Sequence, residues 1–373
     1  MRAPCRAAYS SAGDWRKAAQ ELRNGLGDAV PDFGLGLLYV SEASTESLSS
    51  ILTFLRETTQ VPHWVGCVGL GLLAEGRECG PHDPGAAAML IPVLPEAVRI
   101  LPSLKHGPED IPDSLLSWAR SRGPTVGLVH GDPRNPRLPN IITGAAARLG
   151  SYFVGGLTAL RSEPTQIAHE PTEGGLSGVL FAADVTISVG INQSYVPVGR
   201  PREVTGMEGG SILALDGRKA LEILRDDCGA WGLGDWRQLL GNIQIGLPVS
   251  NSDTGDYVVR PLLGIDPFHG SLSVGAGLGV GDTLLFVRRD EAATRNALRT
   301  MARNALKRAG GAARGGVYVS CVARGRHMFG AEGHEIGILD EALGDVPLIG
   351  FFANGEIAHD RLYSQTGVLA LFV

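Results

Sequence analysis

The stretch that decides the fold is Val346-Pro347-Leu348-Ile349-Gly350-Phe351-Phe352-Ala353-Asn354-Gly355-Glu356-Ile357, near the end of the chain. It reads as an apolar strand that stops at an Asn-Gly turn and is followed by one carboxylate. A second apolar run closes with Cys321-Val322-Ala323-Arg324-Gly325, and residues 366–373 form a final apolar strand. Polar residues thus follow buried strands, which is where open α/β sheets bind small ligands. The pattern predicts a ligand-binding α/β protein.

Composition limits the class of protein. The chain has 373 residues, of which 44% are hydrophobic and 19% are charged. These values are typical of a globular protein that is too long for one compact core. The net charge of −6 argues against a nucleic-acid partner or an anionic membrane surface, since both need clustered basic residues. No apolar run reaches the roughly 20 residues that cross a bilayer, so we expect a soluble protein.

The cysteines and the N-terminal residues indicate the cellular compartment in which the protein is expected. The five cysteines are scattered and contain no C-x-x-C pair, so neither a disulfide framework nor a zinc ribbon is indicated. Residues 1–11 lack the continuous apolar segment of a signal peptide. The sequence therefore predicts a reduced, cytoplasmic protein.

A weak internal repeat organises the chain. Each unit has a strand, a helix, a glycine-marked strand and a final strand. The units begin with strands at 34–40, 125–130 and 316–323, and their helices are predicted at 45–57, 138–149 and 332–343. The helical link makes the first two strands parallel neighbours, and the two final strands are close enough to pair antiparallel. The expected fold class is α/β, with two lobes of mixed β-sheet covered by helices.

Residues 185–290 do not follow the repeat pattern, because their predicted strands are short and interrupted by glycine and proline. Pro197 and Pro201 interrupt the repeat pattern, which places a domain boundary near residues 198–202. The predicted domains are therefore 1–200 and 201–373.

Several familiar motifs can be set aside. The Gly-rich runs at 69–76 and 275–281 lack the Lys and hydroxyl of a phosphate loop and the G-x-G-x-x-G that opens a dinucleotide-binding helix. Tight turns explain them better. His63, Cys67, Cys79 and His82 are suitable zinc ligands by type, but their order matches no standard zinc spacing and a buried cysteine is commonly a small core residue. No cofactor and no metal are predicted.

Two pairs of residues carry the candidate chemistry. Arg324 could lower the pKa of Cys321 and create a nucleophilic thiolate. No nucleophile signature surrounds Cys321, however, and a packed thiol beside a ligand-pairing Arg is favoured. Glu356 follows the turn Asn354-Gly355, whose N–H groups can point into a cavity, although it could also be a solvated turn acid. Glu356 could bind the ammonium group of an amino acid ligand, and Arg324 could bind its carboxylate.

The chain resembles the FIST proteins in an ordered set of motifs that covers almost its whole length. The motifs are Asp14-Trp15, Gly36-Leu37-Leu38-Tyr39-Val40-Ser41, Asp132-Pro133, Phe153-Val154-Gly155-Gly156-Leu157, Pro197-Val198-Gly199-Arg200-Pro201, Leu215-Asp216-Gly217, Cys321 to Gly325, Gly350 to Ile357, and Thr366-Gly367-Val368-Leu369-Ala370-Leu371-Phe372. The resemblance implies a FIST N-terminal-like domain over 1–200 and a FIST C-terminal-like domain over 201–373. It also implies a bacterial sensory protein of signal transduction that binds amino acids or similar metabolites. The stretches 66–70 and 192–197 depart from the family pattern.

The resulting hypothesis is a stand-alone cytoplasmic sensor that binds a small metabolite and acts alone or through a signalling protein partner. The expected ligand-binding residues are Cys321, Arg324, Gly350, Asn354, Gly355 and Glu356, and no catalytic residue is assigned. One alternative is a hydrolase or transferase that uses Cys321. A second alternative is a protein-interaction scaffold.

Overall fold

The computed structural model describes residues 3–28, 33–123, 125–160, 165–229, 240, 242–249, 257–275 and 277–373. These residues form an α/β fold of several mixed sheets, which confirms the predicted fold class. The chain divides into two compact units. Unit 1 comprises Met1–Asn192 and Arg295–Val373, and unit 2 comprises Gln193–Thr294. Unit 1 contains three structural repeats, and unit 2 interrupts the third repeat in sequence.

The first repeat extends to residue 91. It consists of β1 (Arg6–Ser10), α1 (Trp15–Leu26), β2 (Leu35–Ser41), α2 (Leu48–Thr59), β3 (His63–Gly69), the hairpin β4 (Leu72–Ala74) and β5 (Arg77–Cys79), and β6 (Ala86–Ile91). The helix predicted at 45–57 begins later than expected, because Glu42–Ser47 form a 3-10 helix. Thr45 Oγ1 donates to Glu42 O at 2.7 Å, and such side-chain bonds compete with regular helix geometry.

The second repeat has the same order of elements. It consists of β7 (Val98–Leu104), α3 (Asp113–Arg122), β8 (Thr125–Gly131), α4 (Leu138–Leu149), β9 (Ser151–Leu157), the hairpin β10 (Gln166–Ala168) and β11 (Glu170–Thr172), and β12 (Leu176–Phe181). The bounds of α4 are those predicted from the sequence. This helix ends at Gly150, which takes up the left-handed conformation (φ 62°) that favours glycine at a helix end.

The third repeat begins with β13 (Ile187–Gln193), and unit 2 follows directly. The elements of unit 2 are β14 (Tyr195–Glu208), β15 (Ser211–Leu215), β16 (Arg218–Lys219), α5 (Ala220–Cys228), β17 (Ile243–Pro248), β18 (Tyr257–Arg260), β19 (Leu262–Asp266), β20 (Ser271–Val274) and β21 (Thr283–Arg289). Its strands form one sheet in the order β18-β17-β21-β14-β15-β20-β19, with β16 beside β15. The predicted boundary at 198–202 falls inside β14, and the division into domains 1–200 and 201–373 stays a prediction.

The third repeat then resumes in unit 1. Its remaining elements are α6 (Glu291–Arg308), β22 (Gly315–Cys321), α7 (Gly325–Phe329), α8 (His334–Leu343), β23 (Leu348–Ala353), the hairpin β24 (Glu356–His359) and β25 (Arg361–Tyr363), and β26 (Thr366–Phe372). The single helix predicted at 332–343 is thus preceded by the short helix α7. Gly330 (φ 90°) ends α7 in a left-handed conformation, and Gly333 (φ 80°), which is also left-handed, directly precedes α8.

The three repeats share one strand topology. Sheet 1 has the order β1-β6-β2-β3-β10-β11, sheet 2 the order β7-β12-β8-β9-β24-β25, and sheet 3 the order β13-β26-β22-β23-β4-β5. Within each repeat the two helix-linked strands are parallel, as predicted. The expectation that the two final strands pair with each other is wrong. The final strand instead pairs antiparallel with the first of the two helix-linked strands, which is β2, β8 or β22.

The hairpins explain this difference, because each repeat donates its hairpin to the sheet of another repeat. The hairpin β4–β5 of the first repeat joins sheet 3 through β23, β10–β11 joins sheet 1 through β3, and β24–β25 joins sheet 2 through β9. The donated hairpin occupies the free edge of the second parallel strand, where the final strand of the repeat would otherwise pair. Three equivalent backbone bonds fix the exchange: Val68 N to Thr165 O, Leu157 N to Gly355 O, and Phe352 N to Gly71 O, all at 2.9 Å.

Each sheet carries helices on one face and meets the other sheets with its opposite face. In sheet 1, Leu38 and Val40 belong to the cluster that packs under α1 and α2. The alternate residue Tyr39 points to the other side, since successive strand residues face opposite ways. Its ring contacts Phe351 of sheet 3 and His130 of sheet 2, at centroid distances of 4.9 and 5.6 Å. The inner faces of the three sheets therefore meet in one central core.

One glycine in each repeat permits this close strand packing. Gly66, Gly155 and Gly350 occupy equivalent positions in β3, β9 and β23, opposite Leu38, Val129 and Tyr318. A Cβ atom at these glycines would lie 1.7–1.8 Å from the carbonyl oxygen of the opposite residue. Gly350, which was expected to bind ligand, therefore has a structural reason to be glycine.

Candidate functional site

The predicted site residues lie where sheet 3 ends and the chain passes into sheet 2. Cys321 is the last residue of β22, and Gly350 lies within β23. Asn354 and Gly355 connect β23 of sheet 3 to β24 of sheet 2, which begins with Glu356. Asn354 is exposed, whereas the other four residues are buried.

Arg324 forms a buried ion pair with Glu335 of α8. Nη2 of Arg324 lies 2.9 Å from Glu335 Oε1, and its Nε donates to the same oxygen at 3.0 Å. Both side chains are 0% exposed. Arg324 also donates to Asn192 of β13, from Nη1 to the main-chain oxygen at 2.8 Å and from Nη2 to Oδ1 at 2.7 Å. The guanidinium thus binds groups of the protein itself.

Further donors complete the shell around Glu335. The hydroxyls of Tyr318 and Ser320 donate to Oε1 at 2.7 and 2.8 Å, and Gly325 N donates to Oε2 at 3.1 Å. Burial disfavours the charge on Arg324, but its interactions with Tyr318 and with the Glu335 carboxylate outweigh this effect and raise the pKa of Arg324 above its ordinary value. Arg324 therefore stays charged, and its bonds to Glu335 hold the segment after β22 against α8.

Glu356 and Cys321 form a second buried group. Thr366 N donates to Glu356 Oε2 at 3.0 Å. Burial raises the pKa of Glu356 to about 8, against the opposing effects of the Thr366 N–H and the charge on Arg324. Burial and the neighbouring Glu356 carboxylate raise the pKa of Cys321 to about 12. At neutral pH most of the Glu356 carboxyl is protonated and Cys321 is a thiol.

This environment predicts an unreactive Cys321. At pH 7 we expect folded protein to be alkylated by iodoacetamide at Cys321 roughly a thousandfold more slowly than an ordinary thiol, because raising the pKa from 9.0 to about 12 depletes the thiolate. Intact-protein mass spectrometry over time, followed by peptide mapping, measures the rate. Protein unfolded in urea is the control and should react at the ordinary rate. Rapid labelling at Cys321 alone would contradict this expectation and support the cysteine-enzyme alternative.

A cavity of about 430 Å³ opens beside these two groups. One side is formed by the donated hairpin β4–β5 and the loop after it, and the other by the segments after β22 and at the end of β23. Its described lining residues are Leu70, Glu78, Cys79, Gly80, Pro81, His82, Asp83, Val322, Gly325, Arg326, Glu332 and Phe352. The set contains the chain neighbours of Cys321 and Arg324, but not Cys321, Arg324 or Glu356.

The charged groups of the cavity are of both signs. Arg326 Nη1 lies 3.9 Å from Glu332 Oε1, and these side chains are 66% and 60% exposed, so solvent screens their attraction. His82 and Asp83 are also exposed. Phe352 is only 7% exposed and supplies an apolar surface. The cavity thus offers a cation, carboxylates and an apolar wall within one small volume.

Glu78 connects the hairpin to the start of α8. Its Oε1 accepts from Ile336 N at 3.0 Å, which satisfies an N–H group that a helix start leaves without an intrahelical partner. Burial raises the pKa of Glu78. Sequence reasoning missed this side of the cavity. The available signals were the Gly-rich run at 69–76, which was considered as a phosphate loop, and Cys79 and His82, which were considered as zinc ligands.

Other candidate motifs have structural explanations. Arg134, in the turn after β8, pairs with the buried Asp132 at 2.6 Å and with Glu173 at 2.9 Å. Cys67 is fully buried in β3. In the part of the chain that the structure describes, no group of three or more His, Cys, Asp or Glu side chains could hold a metal ion. Among the same residues, no helix is long and apolar enough to cross a membrane.

Comparison with known proteins agrees with this architecture. The model of the FIST N domain matches residues 34–218, and the model of the FIST C domain matches residues 220–359. The chain belongs to the FIST family. FIST domains are a sensory family of signal transduction. The two family models meet inside unit 2, so each of them includes part of that unit.

Similar FIST proteins occur in mycobacteria. An uncharacterized protein of Mycobacterium tuberculosis (strain H37Rv) is 30% identical over 383 residues, which cover 98% of each chain. An uncharacterized protein of Mycobacterium bovis is 31% identical over 372 residues, which cover 96% of this chain and 94% of the relative. The similarity therefore extends over the three repeats and unit 2.

Proposed function

We propose that this FIST protein is a sensory module that binds a small polar metabolite in the 430 Å³ cavity. The observation that carries the proposal is the position of the cavity at the carboxyl ends of β22 and β23, which are parallel neighbours. Ligands of α/β sheets bind at such strand ends. The volume lies within the range of small-molecule sites, which are mostly apolar with a few polar groups.

The lining residues favour a zwitterion such as an amino acid. Arg326 would pair with a carboxylate of the ligand, and Asp83 or Glu332 would pair with its ammonium group. Phe352 and Leu70 would contact an apolar side chain of the ligand. In this proposal Arg324 and Glu356, which were predicted to contact the ligand, support the cavity wall from behind.

Gly325 gives the cavity a connection to the rest of unit 1. It lines the cavity, and its N–H donates to Glu335 in the ion pair with Arg324. A ligand that moved Gly325 would therefore act on a buried charge network that also holds Asn192 of β13. We propose that a signalling partner reads this change. All five cysteines are unpaired thiols, which suits the cytoplasm because its thiol pools keep cysteines reduced.

A thermal-shift screen against amino acids and related metabolites tests the proposal. A ligand at 100 times its Kd stabilises a fold by about 2.7 kcal/mol, which raises the Tm of a chain of this size by a few degrees. For any hit, we expect Arg326→Leu to weaken binding at least roughly tenfold, because one charge-assisted pair contributes about 1.5–3 kcal/mol. Isothermal titration calorimetry measures the affinity.

Arg120→Leu is the matched control, since Arg120 is an exposed residue of α3 outside the cavity. It should leave the affinity unchanged. Equal affinity of the Arg326 variant and the original protein would rule out the assigned cavity. A screen without any hit would favour the interaction-scaffold alternative.

A further inference from the structure

A second polar site lies in the central core, away from the cavity. His130 of β8 is 0% exposed, and its ring contacts those of Tyr39 and Phe351, at centroid distances of 5.6 and 5.8 Å. Nε2 of His130 is 3.3 Å from the Tyr39 hydroxyl. The rings come from three different sheets. The imidazole is therefore fixed at the point where the three repeats meet.

Three buried side-chain atoms, one in this ring and two on residues bonded or paired to His130, have no hydrogen-bond partner. They are Nδ1 of His130, Oγ of Ser177 and Oε1 of Gln166, and each of the three residues is 0% exposed. Such buried atoms cost stability unless something satisfies them. The structure thus contains three unused polar atoms in one water-excluded region.

The backbone brings these side chains together. Ser177 of β12 is the direct antiparallel partner of His130 in sheet 2, and side chains of such partners share a face, with Cβ atoms about 4.5–5.5 Å apart. Gln166 reaches the same place from the donated hairpin. Its Nε2 donates to His130 O at 2.6 Å and to Gly175 O at 2.9 Å. Both hydrogen bonds hold the Gln166 amide beside the His130–Ser177 pair.

The other repeats show that the architecture does not need polar residues here. The position of Ser177 is taken by Ala87 opposite Tyr39 in the first repeat and by Val368 opposite Val319 in the third. The position of Gln166 is taken by Leu72 in the hairpin that joins sheet 3 and by Glu356 in the hairpin that joins sheet 2. A fold-wide requirement would have kept polar groups at all of these positions. The polar pair of His130 and Ser177 is therefore specific to the second repeat.

We propose that Ser177 Oγ, His130 Nδ1 and Gln166 Oε1 form an enclosed binding site for one water-sized hydrogen-bonding guest, either a water molecule or an ammonium ion. Burial lowers the pKa of His130 to about 3, so the ring is neutral. The guest therefore meets acceptor atoms from Gln166 and Ser177, which both water and ammonium can satisfy.

A high-resolution crystal structure of the protein and of the Ser177→Ala variant tests this site. We expect one isolated density peak about 2.7–3.2 Å from Ser177 Oγ and within hydrogen-bond reach of Gln166 Oε1, and we expect the variant to lose it. The variant should also melt roughly 1–3 °C lower, because the guest is released. Ser177→Ala is sterically mild, since Ala87 fills the equivalent position.

The sign of the change in Tm of the Ser177→Ala variant distinguishes an occupied site from an unsatisfied Ser177 hydroxyl. If Oγ is truly unsatisfied, its removal relieves a desolvation cost and the variant melts at the same or a higher temperature, which overturns the proposal. Absence of the density peak also overturns it. Ser188→Ala is the control, because Ser188 Oγ donates to Ala305 O at 2.8 Å and its loss gives the effect of removing one satisfied bond.

Exchange of sodium chloride for ammonium chloride at constant ionic strength identifies the guest. A rise in the Tm of the original protein that is missing in the Ser177→Ala variant assigns an ammonium ion. Equal melting in both salts, together with the density peak, assigns a water molecule.

Discussion

Replacing Arg324 with alanine is expected to lower the free energy of unfolding by about 3–5 kcal/mol. The substitution leaves the fully buried Glu335 carboxylate without its cation. It also removes two donors to Asn192. Chemical denaturation followed by circular dichroism and fluorescence measures the loss. Adding Glu335→Gln to the variant should recover part of it, because the uncompensated negative charge is then gone.

The neighbouring Arg326→Ala provides the control for this effect. Arg326 is 66% exposed and its ion pair is long, so its loss should change stability by no more than about 0.5 kcal/mol. If Arg324→Ala were equally harmless, the buried ion pair could not be a structural element, and Arg324 would again be available to bind ligand. The comparison therefore separates a structural arginine from the arginine two positions away for which we propose ligand binding.

Replacing Gly350 with alanine is expected to destabilise the protein by about 4 kcal/mol or more, enough to prevent folding in many proteins. The added Cβ would lie 1.7 Å from Tyr318 O and 2.7 Å from its carbon. Both atoms belong to the backbone of β22, so the strands would have to separate. Soluble yield and denaturation midpoint measure the effect.

Gly337→Ala is the matched control in the same repeat. Gly337 lies in α8, and a Cβ there has no neighbour within 4 Å. Because alanine favours a helix over glycine, this substitution should stabilise the protein by roughly 0.5–1 kcal/mol. A folded Gly350→Ala protein with near-normal stability would contradict the strand packing described for β22 and β23.

Local patterns predicted much of unit 1. The helix at 138–149 has the bounds predicted for it, since its apolar residues recur at helical spacing and Gly150 follows. Three strands of each repeat and their order along the chain were also predicted, because apolar runs and turn residues are local features, whereas β1, β7 and the three hairpins were not predicted. The family resemblance was confirmed over most of the chain. What local features could not supply was the choice of partner for each strand edge.

At the candidate site, too, local features were predictable and contacts between distant segments were not. The sequence correctly placed Cys321, Arg324 and Glu356 at strand ends, but it suggested that Arg324 and Glu356 would face a ligand together. In the structure Arg324 pairs with Glu335, and the cavity wall includes residues 78–83. That wall comes from a hairpin of the first repeat, more than two hundred residues earlier in the chain.

The sequence by itself determined the α/β class, the threefold repeat of strands and helices and the strand-end location of the polar residues, because each depends on spacing within a short segment. Only the tertiary structure decided the exchange of hairpins, the pairing of Arg324 and the gathering of His130, Gln166 and Ser177. These features depend on contacts between distant segments. They form because the whole fold is most stable when strand edges are paired and buried charges have partners, and no single segment carries that information.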